Sequence, residues 1–209
     1  GKIYAFGGFV PPQSGPPVWV PINNAFEYDP AADTWKALAP MPTKRGAAVA
    51  AAAGGKLYVF GGASPHPGSS EIGVLGGRPH RALSTVEEYD PATNSWRERN
   101  PMPTARNHMA AGSVGGKIYV IGGRVGSAFV SVLSSNVTTV EEYDPVTDQW
   151  GALKAPMPTA RSAVAYAVHG GRIYVVGGET RDDRMFATFR AFEGYDPATN
   201  RWTIMPPLT

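Results

Sequence analysis

The chain has 209 residues, of which 43% are hydrophobic, with 25 Gly, 20 Pro, no Cys and a formal net charge of +2. That length supports a packed core in one or two domains, the lack of Cys excludes disulfides and thiolate metal sites without selecting a compartment, and the charge gives no bulk attraction to nucleic acid. No apolar run approaches the roughly 18 residues of a membrane-crossing helix, and the first residues already belong to a strand motif rather than to a charged-then-apolar leader.

In chain order, the first phrase is Gly-Lys-Ile-Tyr-x-x-Gly-Gly from Gly1 to Gly8. It returns from Gly55 to Gly62, from Gly116 to Gly123 and, with Arg172 for Lys, from Gly171 to Gly178. The closing glycine pairs are 54, 61 and 55 residues apart. A period near fifty signals radial or solenoid repetition, and no composition break argues against one domain spanning 1–209. After each phrase comes Tyr-Asp-Pro and, seven residues after the tyrosine, a tryptophan: Tyr28 and Trp35, Tyr89 and Trp96, Tyr143 and Trp150, Tyr195 and Trp202. Pro-Met-Pro-Thr follows at 40–43, 101–104 and 156–159, and Arg45, Arg106 and Arg161 each precede a glycine pair by sixteen residues.

Each unit reads as four short strands, with repeats at about 1–38, 39–99, 100–154 and 155–209. In the second copy, small apolar residues from Ala47 to Ala53 suit a crowded inner strand, and Gly54-Gly55 supply a hairpin turn. Lys56 to Phe60 is short and rich in aliphatic and aromatic residues, which favours a strand over a helix, and Gly61-Gly62 ends it. Thr85 to Tyr89 is the third strand, Asp90 to Asn94 a turn, and Ser95-Trp96-Arg97 opens the outer strand. Four strands in an up-and-down meander make a propeller blade.

Tyr-x-x-Gly-Gly, Tyr-Asp-Pro and the spaced Trp resemble the kelch repeat over nearly the whole chain. The resemblance implies an all-β, kelch-type β-propeller of four-stranded antiparallel blades. Three full blades and three strands of a fourth are counted, so the expectation is an arc of a larger propeller, roughly two thirds of a six-bladed one at ~50 residues per blade. Missing blades or a second copy of the chain would complete the ring; a closed four-bladed ring is the alternative.

The variable gaps, Phe9 to Asn24, Ala63 to Ser84, Arg124 to Thr138 and Glu179 to Arg190, fall in the loops between second and third strands. The connections from fourth to first strand, which carry Arg45, Arg106 and Arg161, emerge on the same face. Those arginines are candidate ligand-binding residues around the central channel, because guanidinium forks suit carboxylates. In the competing reading they pin each blade through backbone carbonyls or an adjacent Glu. The four tryptophans read as inter-blade packing, Tyr58 as core, and Glu27, Glu88 and Glu142 as structural.

Enzyme signatures are thin. His66, His80, His108 and His169 show no metal-ligand spacing, and Asn136-Val137-Thr138 is a chance-level glycosylation sequon. No phosphate-cradling or nucleophile motif opens a helix. Copper oxidases of the kelch type use a Cys-Tyr crosslink that this chain cannot make. A sialic-acid mutarotase or epimerase would need an acid/base pair, for which Glu71, Glu179, Asp182 and Asp183 lie in suitable loops. The sequence favours a binding module for a protein or acidic peptide, with an acidic sugar as the alternative ligand, and no cofactor, metal, nucleic acid or membrane insertion.

Overall fold

Short apolar runs separated by left-handed turns leave antiparallel meanders as the way to pair the backbone. The computed structural model describes residues 1–11, 20–65, 80–126, 134–181 and 186–209; His66, Glu71, Asp182 and Asp183 lie outside the described residues. The second blade pairs Val49–Ala53, Lys56–Phe60, Val86–Asp90 and Ser95–Arg99 in that spatial order. The third pairs Ala110–Val114, Lys117–Ile121, Val140–Asp144 and Gln149–Trp150, and the fourth Ala165–His169, Arg172–Val176, Phe192–Asp196 and Arg201–Ile204. Among the described residues the first sheet holds three strands, Ile3–Phe6, Ala25–Asp29 and Thr34–Ala37. The architecture is thus an all-β propeller arc.

Two boundaries differ from the sequence reading. The inner strand begins at Val49 rather than Ala47, because Ala47 has φ +53°, outside the extended region. The loops between second and third strands start and finish as paired ribbons, such as Ala63–Pro65 with His80–Ala82 and Arg124–Gly126 with Ser134–Asn136. Their flanks satisfy their own backbone groups before the variable part begins.

The core lies between blades, not within them. Val49, Tyr58, Phe60 and Val86 of the second blade pack on Ile118, Val120 and Tyr143 of the third, and Ala110, Tyr119, Ile121 and Val140 pack on Ile173, Val175 and Tyr195 of the fourth. Each fully buried side chain of this kind contributes about 1.5–3 kcal/mol. The tryptophans join these seams: Trp96 meets Phe6 edge-on at 5.2 Å and Trp150 meets Phe60 at 6.0 Å. At the two ends of the arc the same positions are uncovered. Ile3 is 56% exposed where Ile118 and Ile173 are 0%, and Trp35 is 60% exposed. On the fourth blade, Ala165, Tyr174, Val176 and Phe192 line a shallow apolar depression, although their counterparts Tyr58 and Tyr119 are buried.

A second fastening runs along the outer rim. Each outer turn ends in a left-handed Asn or Asp: Asp33, Asn94, Asp148 and Asn200, with φ between +51° and +57°. The Asn94 side-chain oxygen accepts from Tyr89 Oη–H at 2.8 Å and from the backbone N–H of Ala39, in the preceding connection, at 2.9 Å. The Trp96 indole N–H returns a bond to Ala39 O at 2.7 Å. Asp148 repeats the arrangement with Tyr143, Asn100 and Trp150, and Asn200 with Tyr195, Ala155 and Trp202. The constant seven-residue Tyr-to-Trp spacing thus places one acceptor and one donor on a single linker residue, with the tyrosine hydroxyl holding the acceptor in place. In the first blade, Tyr28 still donates to Asp33, at 2.6 Å.

Asn94→Ala removes the acceptor for two donors and puts alanine at φ +52°, so it is expected to cost about 2–3 kcal/mol in urea unfolding. Asp33→Ala, which severs no inter-blade bond, should cost about 1 kcal/mol. Equal losses in the two variants would refute the rim fastening.

Candidate functional site

Arg45, Arg106 and Arg161 do not form a ring of exposed cations. All three side chains have 0% exposure. Arg45 Nη1 donates to Gly61 O at 3.0 Å and Thr85 O at 2.9 Å, and Nη2 pairs with Glu87. Arg106 donates to Gly122 O at 2.7 Å and to Glu141 Oε2 at 2.6 Å. Arg161 pairs with Glu193 and donates to Val175 O at 2.9 Å. Burial pulls Arg45 and Arg106 below the usual arginine range, opposed by the glutamate charges. This is the pinning geometry, and it corrects the expectation of guanidinium groups facing the channel mouth.

The main chain of each arginine belongs to one blade and its side chain to the next. Gly8 N donates to Arg45 O at 2.9 Å, Gly62 N to Arg106 O at 2.9 Å and Gly123 N to Arg161 O at 3.1 Å. That approach explains the glycine pairs. A Cβ on Gly61, at φ +55°, would stand 2.4 Å from Arg106 O. The glutamate partner is the residue two before the tyrosine. Glu88 and Glu142, one residue later, point to the opposite face, where Glu88 binds Arg97 and Arg99 and Glu142 binds Lys154.

Pinning delivers the next two residues to the channel mouth. Ala47, His108 and Ala163 all have φ between +51° and +55°, and they link around the axis through His108 N to Ala47 O at 2.9 Å and Ala163 N to His108 O at 3.0 Å. The preceding residues bridge to the residue after each glycine pair: Gly46 with Ala63, Asn107 with Arg124 and Ser162 with Glu179. These register positions are where the copies diverge.

One half of the mouth is small and apolar. Phe9 covers Gly46 so closely that a Cβ there would meet the ring at 2.2 Å, and the same ring meets His80 edge-on at 5.3 Å. The other half is a polar network. Asn107 Nδ2 donates to Gly126 O at 3.1 Å, which orients its Oδ1 to accept from His108 Nδ1–H at 2.7 Å and Arg124 Nε–H at 3.3 Å. Arg124 Nη2 stands 3.3 Å from His108 Nδ1 and 3.4 Å from Nε2, set against the ring rather than along either lone pair, and Arg124 Nη1 donates to Glu179 Oε1 at 3.1 Å. Burial, with the Arg124 charge beside it, holds His108 down to about 3. Sequence reading missed this cluster. Its signal was available as departures from otherwise constant repeats.

Other candidates take structural places. Glu179 is tied to Arg124, the Asn136 amide nitrogen donates to Glu179 O at 2.7 Å, and His169 closes a hairpin. Among the described residues, no group of three or more His, Asp or Glu side chains is gathered for a metal ion.

The fold and its pins define a repeat-built propeller. The family model for the KLHDC2/KLHL20/DRC7 Kelch-repeats domain matches residues 1–208, and the chain belongs to the kelch-repeat family. It is 30% identical over 205 residues to Kelch-like protein terF of Aspergillus terreus, covering 97% of this chain and 41% of that protein. It is 33% identical over 214 residues to Beta-scruin of Limulus polyphemus, covering 99% of this chain and 21% of that one. The solved structure of YjhT superposes with a TM-score of 0.71 at 22% identity, over 90% of this chain and 60% of that one. The chain therefore spans less than half the length of these curated relatives.

Arg106→Gln strands Glu141 in the core and is expected to cost about 3–5 kcal/mol by denaturant unfolding, as far as folding survives; a loss under 1 kcal/mol would contradict the pin. For His108, the unfolded ring takes up a proton near pH 6.5 and the folded ring only near 3. The unfolded state thus binds more protons between these values, and stability falls as pH drops through that window, by ~2 kcal/mol at pH 5. His108→Ala, which copies Ala47 and Ala163, should remove that part of the pH dependence in thermal melts.

Proposed function

We propose that the chain is a protein-interaction module whose partner docks on the loop face around the channel mouth. The observation that carries this reading is the contrast between constant and varied positions. The repeated arginines, glycine pairs and tyrosines are consumed in holding blades together, while the mouth positions differ from blade to blade. A surface built by repetition but decorated non-repetitively suits one orientation of one partner.

The partner segment is an acidic peptide with apolar anchors. Its apolar side chains meet the half-buried Phe9 and the exposed Val10, and its carboxylates meet Lys44 and Arg81, which are exposed on elements of that face. These replace the three pinned arginines in the electrostatic role. Membership of the kelch family, shared with Kelch-like protein 25 of Xenopus tropicalis at 31% identity over 209 residues, supports a binding role without naming the partner.

The double variant Lys44→Glu with Arg81→Glu should weaken binding of a fluorescent Asp/Glu-rich, Phe-containing peptide by at least about tenfold, with unfolding unchanged within about 1 kcal/mol. Arg201→Glu, on an outer strand, is the control. Equal weakening by the control, or unchanged affinity in the double variant, would discard the loop-face reading.

A further inference from the structure

The residue after each glycine pair takes the same place in every blade, and the four occupants are Phe9, Ala63, Arg124 and Glu179. The third and fourth blades therefore set opposite charges side by side at the channel mouth. Arg124 Nη1 donates to Glu179 Oε1 at 3.1 Å, with the two side chains 8% and 25% exposed.

This pair is built differently from the pins. Each pinning arginine is 0% exposed and adds backbone carbonyls to its carboxylate. Here one contact joins the groups, longer than the about 2.7–2.9 Å of a well-made charge-assisted bond, and the carboxylate remains open to water. The two blades are already fixed by Arg161 and by their apolar seam. The partners also differ in freedom. Arg124 is held by Asn107 Oδ1 at 3.3 Å, with Nη2 against the His108 ring. The main chain of Glu179 exchanges bonds with Ser162 at 3.2 and 2.8 Å, and its carbonyl accepts from Asn136 Nδ2 at 2.7 Å. A side-chain rotation alone can thus withdraw the carboxylate while the backbone stays in place. A guanidinium so nearly buried needs a counter-charge, and exchanging one carboxylate for another preserves that match.

We propose, resting on the loop-face docking described above, that Glu179 is an internal stand-in for a partner's carboxylate. It covers Arg124 in the free chain and gives way when an Asp or Glu side chain of the docked acidic peptide takes its place. Arg124 then joins Lys44 and Arg81 as a third contact for acidic side chains. Displacing the resident group leaves a lone anion little gain, whereas a carboxylate on a peptide held by other contacts acts at high effective concentration. Glu179 therefore screens out small anions.

The test is fluorescence anisotropy of the Asp/Glu-rich, Phe-containing peptide, capped at both termini, on the whole chain. Glu179→Gln should tighten binding at least about fivefold, and Glu179→Asp, which keeps the charge but shortens its reach, by a smaller factor. Glu98→Gln makes the same charge change on the exposed outer strand of the second blade and should leave affinity within about twofold. Adding Arg124→Gln to Glu179→Gln should abolish the gain, and a peptide with Asn and Gln in place of its acids should show none. Melting curves establish folding, and Glu179→Asp carries the test if Glu179→Gln does not fold. The proposal is overturned by unchanged or weaker binding in the folded Glu179 variants, by an equal gain from Glu98→Gln, or by a gain that survives Arg124→Gln. It also falls if neither the wild-type chain nor the Glu179 variants bind the peptide. Should the masking alone be wrong, Lys44→Glu with Arg81→Glu will still weaken binding; if that double variant has no effect, the docking face itself is wrong.

Discussion

Everything in this molecule depends on one arginine placed between blades. Its carbonyl accepts from a glycine of the blade behind, and its guanidinium is bonded to a glutamate and two carbonyls of the blade ahead. A charge taken out of water is tolerated only when a counter-charge and acceptors accompany it, as the carboxylate and carbonyls do here even though each arginine's Nε finds no acceptor. Because the match uses atoms from both blades, it fixes their separation and rotation together. Apolar seams supply most of the stabilisation, but they are less directional. The pins turn a stack of greasy sheets into a single geometry.

The consequence for recognition follows from what the pins use up. Once the constant residues are engaged internally, the proposed partner is left with the positions that vary between blades on the loop face. Asn107, His108 and Arg124 stand where other blades have Gly46, Ala47 and Ala63. The left-handed backbone at His108 is the same as at Ala47 and Ala163, so side-chain identity varies there without disturbing the frame.

Much of the fold was legible in the sequence because strand, turn and spacing signals recur. Lys56–Phe60 and the glycine turn before it are local chemistry and were found where expected. The candidate site was less legible. Nothing in Pro-Met-Pro-Thr-x-Arg tells whether the guanidinium reaches solvent or a neighbouring blade, since the answer lies in a glutamate some 32 to 42 residues further on. A clue did exist: every copy that follows such an arginine has a glutamate two residues before its tyrosine, at Glu87, Glu141 and Glu193. The rim fastening was harder still, because its acceptor and donor on Ala39 are backbone atoms and leave no mark on residue type.

The blades are held twice, near the axis by the linked backbone of Ala47, His108 and Ala163, and at the circumference by the tyrosine–tryptophan fastening. Two concentric hoops resist both splaying and twisting, so a spoke between them bears little mechanical load. Length can therefore change in the ribbons from Ala63 to Ala82 or Arg124 to Asn136 without torque reaching the wheel. Such a chassis lets natural variation, or a designer grafting foreign segments, exchange whole recognition elements while the bearing surfaces stay true.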